Sequence, residues 1–304
     1  MNTSNRQYRG VVVPMVTPVT ARGCLDESAA CRVIEFLLQG GVEGVFVLGT
    51  TGEAASVPRA DRLRVVDLTL KQVNGRALVY AGVNDNCLAD AVEAGNQYLR
   101  AGIDAVVTLP PSYFPIQPKE MFGYFEKLLD QMQGPVILYN IPSTTHVSIP
   151  IDVLEKLAGH PRLAGVKDSE NNAARLEELV NKLRDRDNFS IFIGVGALMA
   201  KMLLLGADGI VPSVGNLVPD LCHQLYESAR AGDRARVADM EKKLIETAML
   251  YQHGRTLGQS LGALKAAMNF RRLCEPTVLP PLLTLNENER ESIRQEMVRL
   301  GILE

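Results

Sequence analysis

Gly44–Gly49 reads GVFVLG, Arg59–Val73 reads RADRLRVVDLTLKQV, and Ala77–Val83 reads ALVYAGV. The two short runs lack polar alternation, the pattern of strands buried on both faces of a parallel sheet. The stretch between them sets apolar residues three and four apart with charges opposite, which predicts an amphipathic helix. Outward in both directions the unit repeats. Further apolar runs are Gly10–Pro18 (GVVVPMVTP), Ala105–Pro111 (AVVTLPP), Pro135–Ile141 (PVILYNI), Leu163–Ser169 (LAGVKDS), Phe189–Gly196 (FSIFIGVG) and Gly209–Gly215 (GIVPSVG). Helical spacing returns in Leu88–Arg100, Pro118–Gln131 and Asn172–Arg184, and in a shorter segment near Ala197–Leu205. Eight strand–helix units in succession predict an α/β fold, a closed (β/α)8 TIM barrel. The rival, an open doubly wound sheet, needs a topological switch and usually has fewer strands.

The barrel is expected to occupy residues 1–230. Residues 231–304 read as a C-terminal helical region packed on it, with helices near Asp233–Tyr251, Leu257–Arg271 and Glu287–Leu300. Pro276, Pro280 and Pro281 punctuate the last junction.

The chain has 304 residues, 46% hydrophobic and 22% charged, as in ordinary globular proteins. Its 32 Lys and Arg against 35 Asp and Glu leave a net charge of −3, which gives no footprint for nucleic acid or an anionic membrane. No apolar run is long enough to span a bilayer. The opening MNTSNRQYRG lacks the apolar core of a secretory signal, so a cytoplasmic protein is the expectation. Five scattered cysteines without CxxC spacing point to reduced thiols. Four histidines without a close pair argue against a metal site. Neither a P-loop nor a GxGxxG follows a strand, so no nucleotide cofactor is expected.

In such a barrel, chemistry sits at the C-terminal strand ends. The second run ends in Gly49-Thr50-Thr51-Gly52-Glu53, where backbone N–H groups and two hydroxyls could wrap a carboxylate. Alone, the same residues fit a plain βα turn. The sixth run ends in Gly165-Val166-Lys167-Asp168-Ser169. A lysine there is either desolvated, which frees its amine to attack a ketone, or paired with Asp168 or Glu170 as a structural ion pair. Tyr139, in Tyr139-Asn140-Ile141-Pro142, fits either a proton shuttle or a core aromatic. Tyr113, after the fourth run, suits packing in a Pro-rich loop or a subunit contact.

Together these motifs, with Pro14-Met15-Val16-Thr17-Pro18 at the start, resemble the dihydrodipicolinate synthase / N-acetylneuraminate lyase family along the whole chain. The resemblance implies a Schiff-base-forming class I aldolase or lyase that needs no cofactor and assembles as a homotetramer of tight dimers. It implies that Lys167 forms the imine with pyruvate or another 2-oxo acid, and that Tyr139 shuttles protons. Thr50, Thr51 and Gly52 would hold the carboxylate, and Tyr113 would reach a neighbouring subunit's site. An aldehyde is the implied second substrate.

Departures from the family pattern narrow the substrate. The lysine-pathway synthase carries an arginine clamp where this chain has Thr144, and His146 replaces the glycine two positions on. A hydroxyl cannot supply a bidentate guanidinium contact, which points away from the synthase reaction. Arg59 and Arg62 stand where family members often carry lysine-binding histidines. Sialic acid lyases have Ser-Thr in the anion box and acidic residues after strand seven, whereas this chain has Thr-Thr and Gly194-Val195-Gly196-Ala197. The expectation is a 2-keto-3-deoxy sugar acid or similar hydroxy-oxo acid, cleaved, condensed or dehydrated. Thr144, His146, Gly194, Val211, Ser213 and Asn216 are the candidates for contacts with it. The alternatives are 4-hydroxy-tetrahydrodipicolinate synthase and a non-catalytic 2-oxo-acid-binding relative.

Overall fold

A computed structural model of the chain describes residues 7–303. Residues 1–6, most of the stretch read for a leader, lie outside the described residues. Among the described residues eight parallel strands close into a barrel in chain order. They are β1 (Gly10–Pro14), β2 (Gly44–Val47), β3 (Leu78–Val83), β4 (Ala105–Thr108), β5 (Val136–Asn140), β6 (Leu163–Asp168), β7 (Ser190–Ile193) and β8 (Gly209–Ile210). Every strand stops short of its apolar run or at its end, and the surplus residues form the rim at the C-terminal mouth.

The helices interleave with these strands. They are α1 (Glu27–Gln39), α2 (Arg59–Val73), α3 (Leu88–Ala101), α4 (Pro118–Gln131), α5 (Pro142–Thr145), α6 (Ile151–Leu157), α7 (Ala173–Leu183), α8 (Met199–Leu205) and α9 (Pro219–Ala231). Local chemistry sets their ends. Asp26 and Asn172 accept from the Ala29 and Arg175 amides at 3.0 and 3.1 Å as N-caps. Gly102, Gly206 and Gly232 close α3, α8 and α9 in the left-handed conformation that glycine adopts without steric cost. The two short helices α5 and α6 have no counterpart in the sequence reading, because four and seven residues are too few to show a period.

The strands separate two apolar cores. Val11, Val13, Val45, Val47, Val106 and Leu138 face outward onto the helices. Val12, Phe46, Tyr80, Val107, Ile137 and Phe192 fill the barrel. This parity breaks once. Val136 pairs with Leu163 but Ile137 pairs with Gly165, so Ala164 is an extra residue in β6. Leu163 faces the outer core and Ala164 the inner one; beyond the bulge Val166 faces outward. A bulge re-aims the residues beyond it. Without it, Lys167 would share the outward face of Leu163, two pleats away; with it, Lys167 faces the barrel interior.

After the barrel come α10 (Arg234–Gln252), α11 (Leu257–Phe270) and α12 (Glu287–Arg299). Capping boxes open the last two, Thr256 with Gln259 and Asn286 with Glu289. Ser260–Met268 of α11 is buried throughout, and its Lys265 reaches Glu53 at the rim. Among the described residues no helix is long and apolar enough to cross a membrane.

Candidate active site

β5 and β6 build the centre of the site. Tyr139 and Lys167 are register partners facing inward, and Asn140 and Asp168 are the next pair, facing out. The Lys167 side chain is 6% exposed. Its Nζ lies 3.6 Å from the centroid of the Tyr139 ring and 5.1 Å from that of Phe46. It forms one wall of a small apolar cavity that Phe46, Ile137, Phe192 and Val211 also line. Burial among these groups pushes the amine below the usual lysine range, against the pull of the Tyr139 phenol.

The phenol moves in the same direction by a different balance. Burial alone would raise it, but the Lys167 charge and hydrogen bonds from Lys167, Thr50 and Ser169 outweigh burial and bring it down. Amine and phenol are therefore a coupled pair, each setting the other's proton affinity. Ser169 was not among the residues singled out from sequence. Its signal is Gly194: a Cβ there would stand 2.0 Å from the Ser169 hydroxyl, so glycine makes room for it.

The carboxylates next to Lys167 in sequence are committed elsewhere. Asp168, fully buried, accepts from Asn140 Nδ2 at 3.0 Å, from the Glu170 amide at 2.9 Å and from Arg175 Nε at 3.0 Å. Glu170 accepts from Ser148 at 2.5 Å and pairs with Arg175 at 3.2 Å. Desolvation raises the Asp168 pKa, and Arg175 offsets this. The lysine thus has no carboxylate partner in Asp168 or Glu170, and the ion-pair alternative for Lys167 is set aside.

Thr50, Thr51 and Gly52 follow β2 in a tight turn. Leu48 enters it in the left-handed region, at φ 55°. Its carbonyl packs so close to β3 that a Cβ on Gly82 would stand 2.0 Å from it, so that strand position needs glycine. Thr51 is buried, and Thr17 donates to the Gly52 carbonyl at 2.6 Å. Thr50 is among the groups that lower the Tyr139 pKa, so this turn adjoins the amine–phenol pair.

The remaining candidates divide. Gly194 hangs from the Asp168 carbonyl through its N–H, at 2.8 Å. Ser213 shares a 2.7 Å hydrogen bond with Tyr251 of α10. Gly194, Ser213 and Tyr251 line a cavity of about 250 Å³, which Asn171, Glu241 and Gln252 also border. Thr144 donates to the Ile141 carbonyl at 3.2 Å inside α5, and His146 is exposed at the end of that helix. Asn216 departs from the expected substrate contact. It is fully buried and spends its side chain on the Val16 amide and the Pro14 and Ser213 carbonyls, so it braces β1 and is not free to read a substrate. Tyr113 is not brought to Lys167 within this chain. It is 78% exposed, at a loop tip beside Phe114, with its amide held by Asn86.

Known proteins share this fold along nearly the whole chain. Residues 7–299 match the model of the dihydrodipicolinate synthetase family. The probable 2-dehydro-3-deoxy-D-pentonate aldolase YjhH of Escherichia coli is 28% identical over 98% of this chain and 99% of its own. The 4-hydroxy-tetrahydrodipicolinate synthase of Nitrosomonas europaea is 30% identical over 97% and 99%. The crystal structure of YagE, a prophage protein of E. coli solved in complex with pyruvate, superposes with a TM-score of 0.90 at 26% identity over 97% and 99%. The fold and site define a lyase of the class I aldolase type. The chain belongs to the dihydrodipicolinate synthetase family.

Proposed function

We propose that the protein is a Schiff-base lyase acting on a 2-keto-3-deoxy sugar acid or similar hydroxy-oxo acid, with pyruvate as its 2-oxo-acid component. The observation that carries this is the buried, desolvated Lys167 amine against the Tyr139 ring, with the neighbouring carboxylates tied to Arg175.

In this reading the neutral amine attacks the 2-oxo carbon, and Tyr139 returns a proton to the oxygen, which leaves as water. Thr50, Thr51 and Gly52 hold the carboxylate. The iminium draws electrons from the C3–C4 bond as that bond breaks. The aldehyde leaves as the C4 hydroxyl gives its proton to the Tyr139 phenolate, which returns it to C3 of the enamine left on Lys167; water then hydrolyses the resulting iminium, releasing pyruvate and the free amine. Condensation is the reverse. No metal or organic cofactor is needed, because the iminium is itself the electron sink.

The cavity beyond Gly194 and Ser213 offers room for the distal part of a longer acid, with Asn171, Glu241 and Gln252 among its polar members on an otherwise largely apolar lining, and the pentonate aldolase among the relatives supports that class. Val211 closes the apolar side. Thr144 and His146 stand at the mouth on α5 and its end, as candidate contacts to the far end of the substrate. Tyr113 would complete the proton relay of a neighbouring copy, with a homotetramer of tight dimers as the assembly. A second reading, 4-hydroxy-tetrahydrodipicolinate synthase, is favoured by the N. europaea relative. Against it, Thr144 stands where that enzyme carries its arginine clamp, and a hydroxyl cannot supply a bidentate guanidinium contact.

Intact-mass spectrometry after incubation with pyruvate and borohydride tests the proposal, with Lys167→Ala alongside. A stable adduct on the wild type alone is expected. An adduct on the variant, or none on the wild type with pyruvate or longer 2-oxo acids, would falsify it. Turnover of 2-keto-3-deoxy acids, compared with aspartate semialdehyde plus pyruvate, separates the two substrate readings.

A further inference from the structure

Glu53 follows the Thr50–Thr51–Gly52 turn and is a non-glycine residue in the left-handed region, at φ 56°. It is 4% exposed. Its Oε2 accepts from the Leu279 amide at 2.6 Å, and its Oε1 lies 2.5 Å from Lys265 Nζ of α11. That second approach is a charge contact off the hydrogen-bonding direction. The directed bond of Lys265 goes to the Thr277 carbonyl at 2.9 Å, and the lysine is fully buried. One buried ion pair thus joins the turn to α11 and to the 277–279 segment.

The backbone of Glu53 passes this anchoring to the threonines. Its amide donates to the Thr50 carbonyl at 3.1 Å, and its own carbonyl accepts from Ser56 and Val57. A left-handed non-glycine residue persists where its surroundings over-determine it. Replacing a buried pair by apolar groups is often neutral for stability, whereas a buried pair with fixed partners can hold one geometry.

We propose that Glu53 and Lys265 are positioning residues for carboxylate recognition, through which the C-terminal helices hold the Thr50–Gly52 turn in its binding shape. The inference rests on the reading that this turn grips the 2-oxo-acid carboxylate. Neither residue touches the reacting atoms.

The test is borohydride trapping across a concentration series of pyruvate and of its uncharged ester, methyl pyruvate, with wild type, Lys265→Met and the double variant Glu53→Leu/Lys265→Met. Thermal unfolding checks each fold. If Lys265→Met does not fold, the double variant, which leaves no lone buried charge, carries the same measurement. Half-saturating pyruvate is expected to rise about 10–100-fold, the range seen when outer partners of a metal site are lost, while half-saturating methyl pyruvate stays close to that of the wild type. An equal shift for both probes, or none for pyruvate, in a folded variant overturns the inference. A wild type that forms no adduct with either probe overturns this inference, and one that forms none with longer 2-oxo acids either overturns the proposed function with it.

Discussion

Tyr139 and Lys167 stand side by side as register partners on neighbouring parallel strands, with the lysine amine 3.6 Å from the centre of the tyrosine ring. Parallel register fixes both the spacing and the shared face, so the two groups meet with little backbone freedom to lose on binding substrate. The next pair, Asn140 and Asp168, does the opposite on the outer face: it binds Arg175 and locks the strand ends. A single pleat thus separates the reactive pair from its scaffold.

Tyr139→Phe keeps the ring against the amine and removes only the hydroxyl. A positioned proton carrier contributes about 10²–10⁴-fold, so we expect kcat to fall by that range. Adduct formation under borohydride should survive, more slowly. Full turnover in the variant would assign the proton transfers to another group, with Ser169 or Thr50 nearest at hand.

The desolvated lysine makes a stability claim whose sign is fixed. Its folded pKa lies below the unfolded value of about 10.4. Between the two values the unfolded chain binds a proton that the folded chain does not, so this contribution to stability grows with rising pH and is lost as pH falls through the folded pKa. Lys167→Met, which retains the stem without the charge, should therefore melt above the wild type at pH 7, by about 2–4 °C for each kcal/mol gained. The gap should narrow as pH is raised toward the ordinary lysine range. A variant that melts lower at pH 7 would mean that the amine is not desolvated.

The alternation of strands and helices was legible because buried parallel strands and amphipathic helices leave different periods in the sequence. α2 and α4 were read to the residue. Strand ends were read too long, since the apolar runs continue into the rim, as at Met15–Pro18 after β1. The inward aim of Lys167 was not legible from pleat parity: it depends on the extra residue at Ala164, whose only trace is the neighbouring Gly165. The Glu53–Lys265 contact joins residues more than two hundred positions apart, beyond any local pattern. Asn216 looked available because a strand-end polar residue carries no mark of being spent on backbone.

Gly165 therefore tests the bulge. A Cβ there would lie 2.2 Å from the Ser190 carbonyl oxygen, a backbone atom that cannot turn aside. Gly165→Ala should cost about 1–3 kcal/mol or more, the range for forcing volume into a packed interior. It should also lower adduct formation in whatever protein remains folded, because β6 must shift to relieve the clash and carries Lys167 with it. Chemical denaturation and trapping on the same samples measure both. Unchanged trapping in a destabilised variant would separate the bulge from the aim of the lysine.

Tyr113 and Phe114 are 78% and 72% exposed at the end of the loop after β4 and pack edge-to-face on each other, with centroids 5.0 Å apart. Large rings so placed make few contacts in their own chain, so Tyr113→Ala should change chain stability by no more than about 0.5 kcal/mol. At an interface between copies, truncating a central aromatic costs about 2 kcal/mol or more of association energy. Sedimentation over a dilution series should therefore show the variant dissociating at higher concentration than the wild type, with activity lost in parallel. Tyr113→Phe separates the two roles of the ring: assembly should survive, while kcat falls if the hydroxyl completes a neighbour's relay. An assembly unchanged in Tyr113→Ala, with full activity, would confine Tyr113 to its loop.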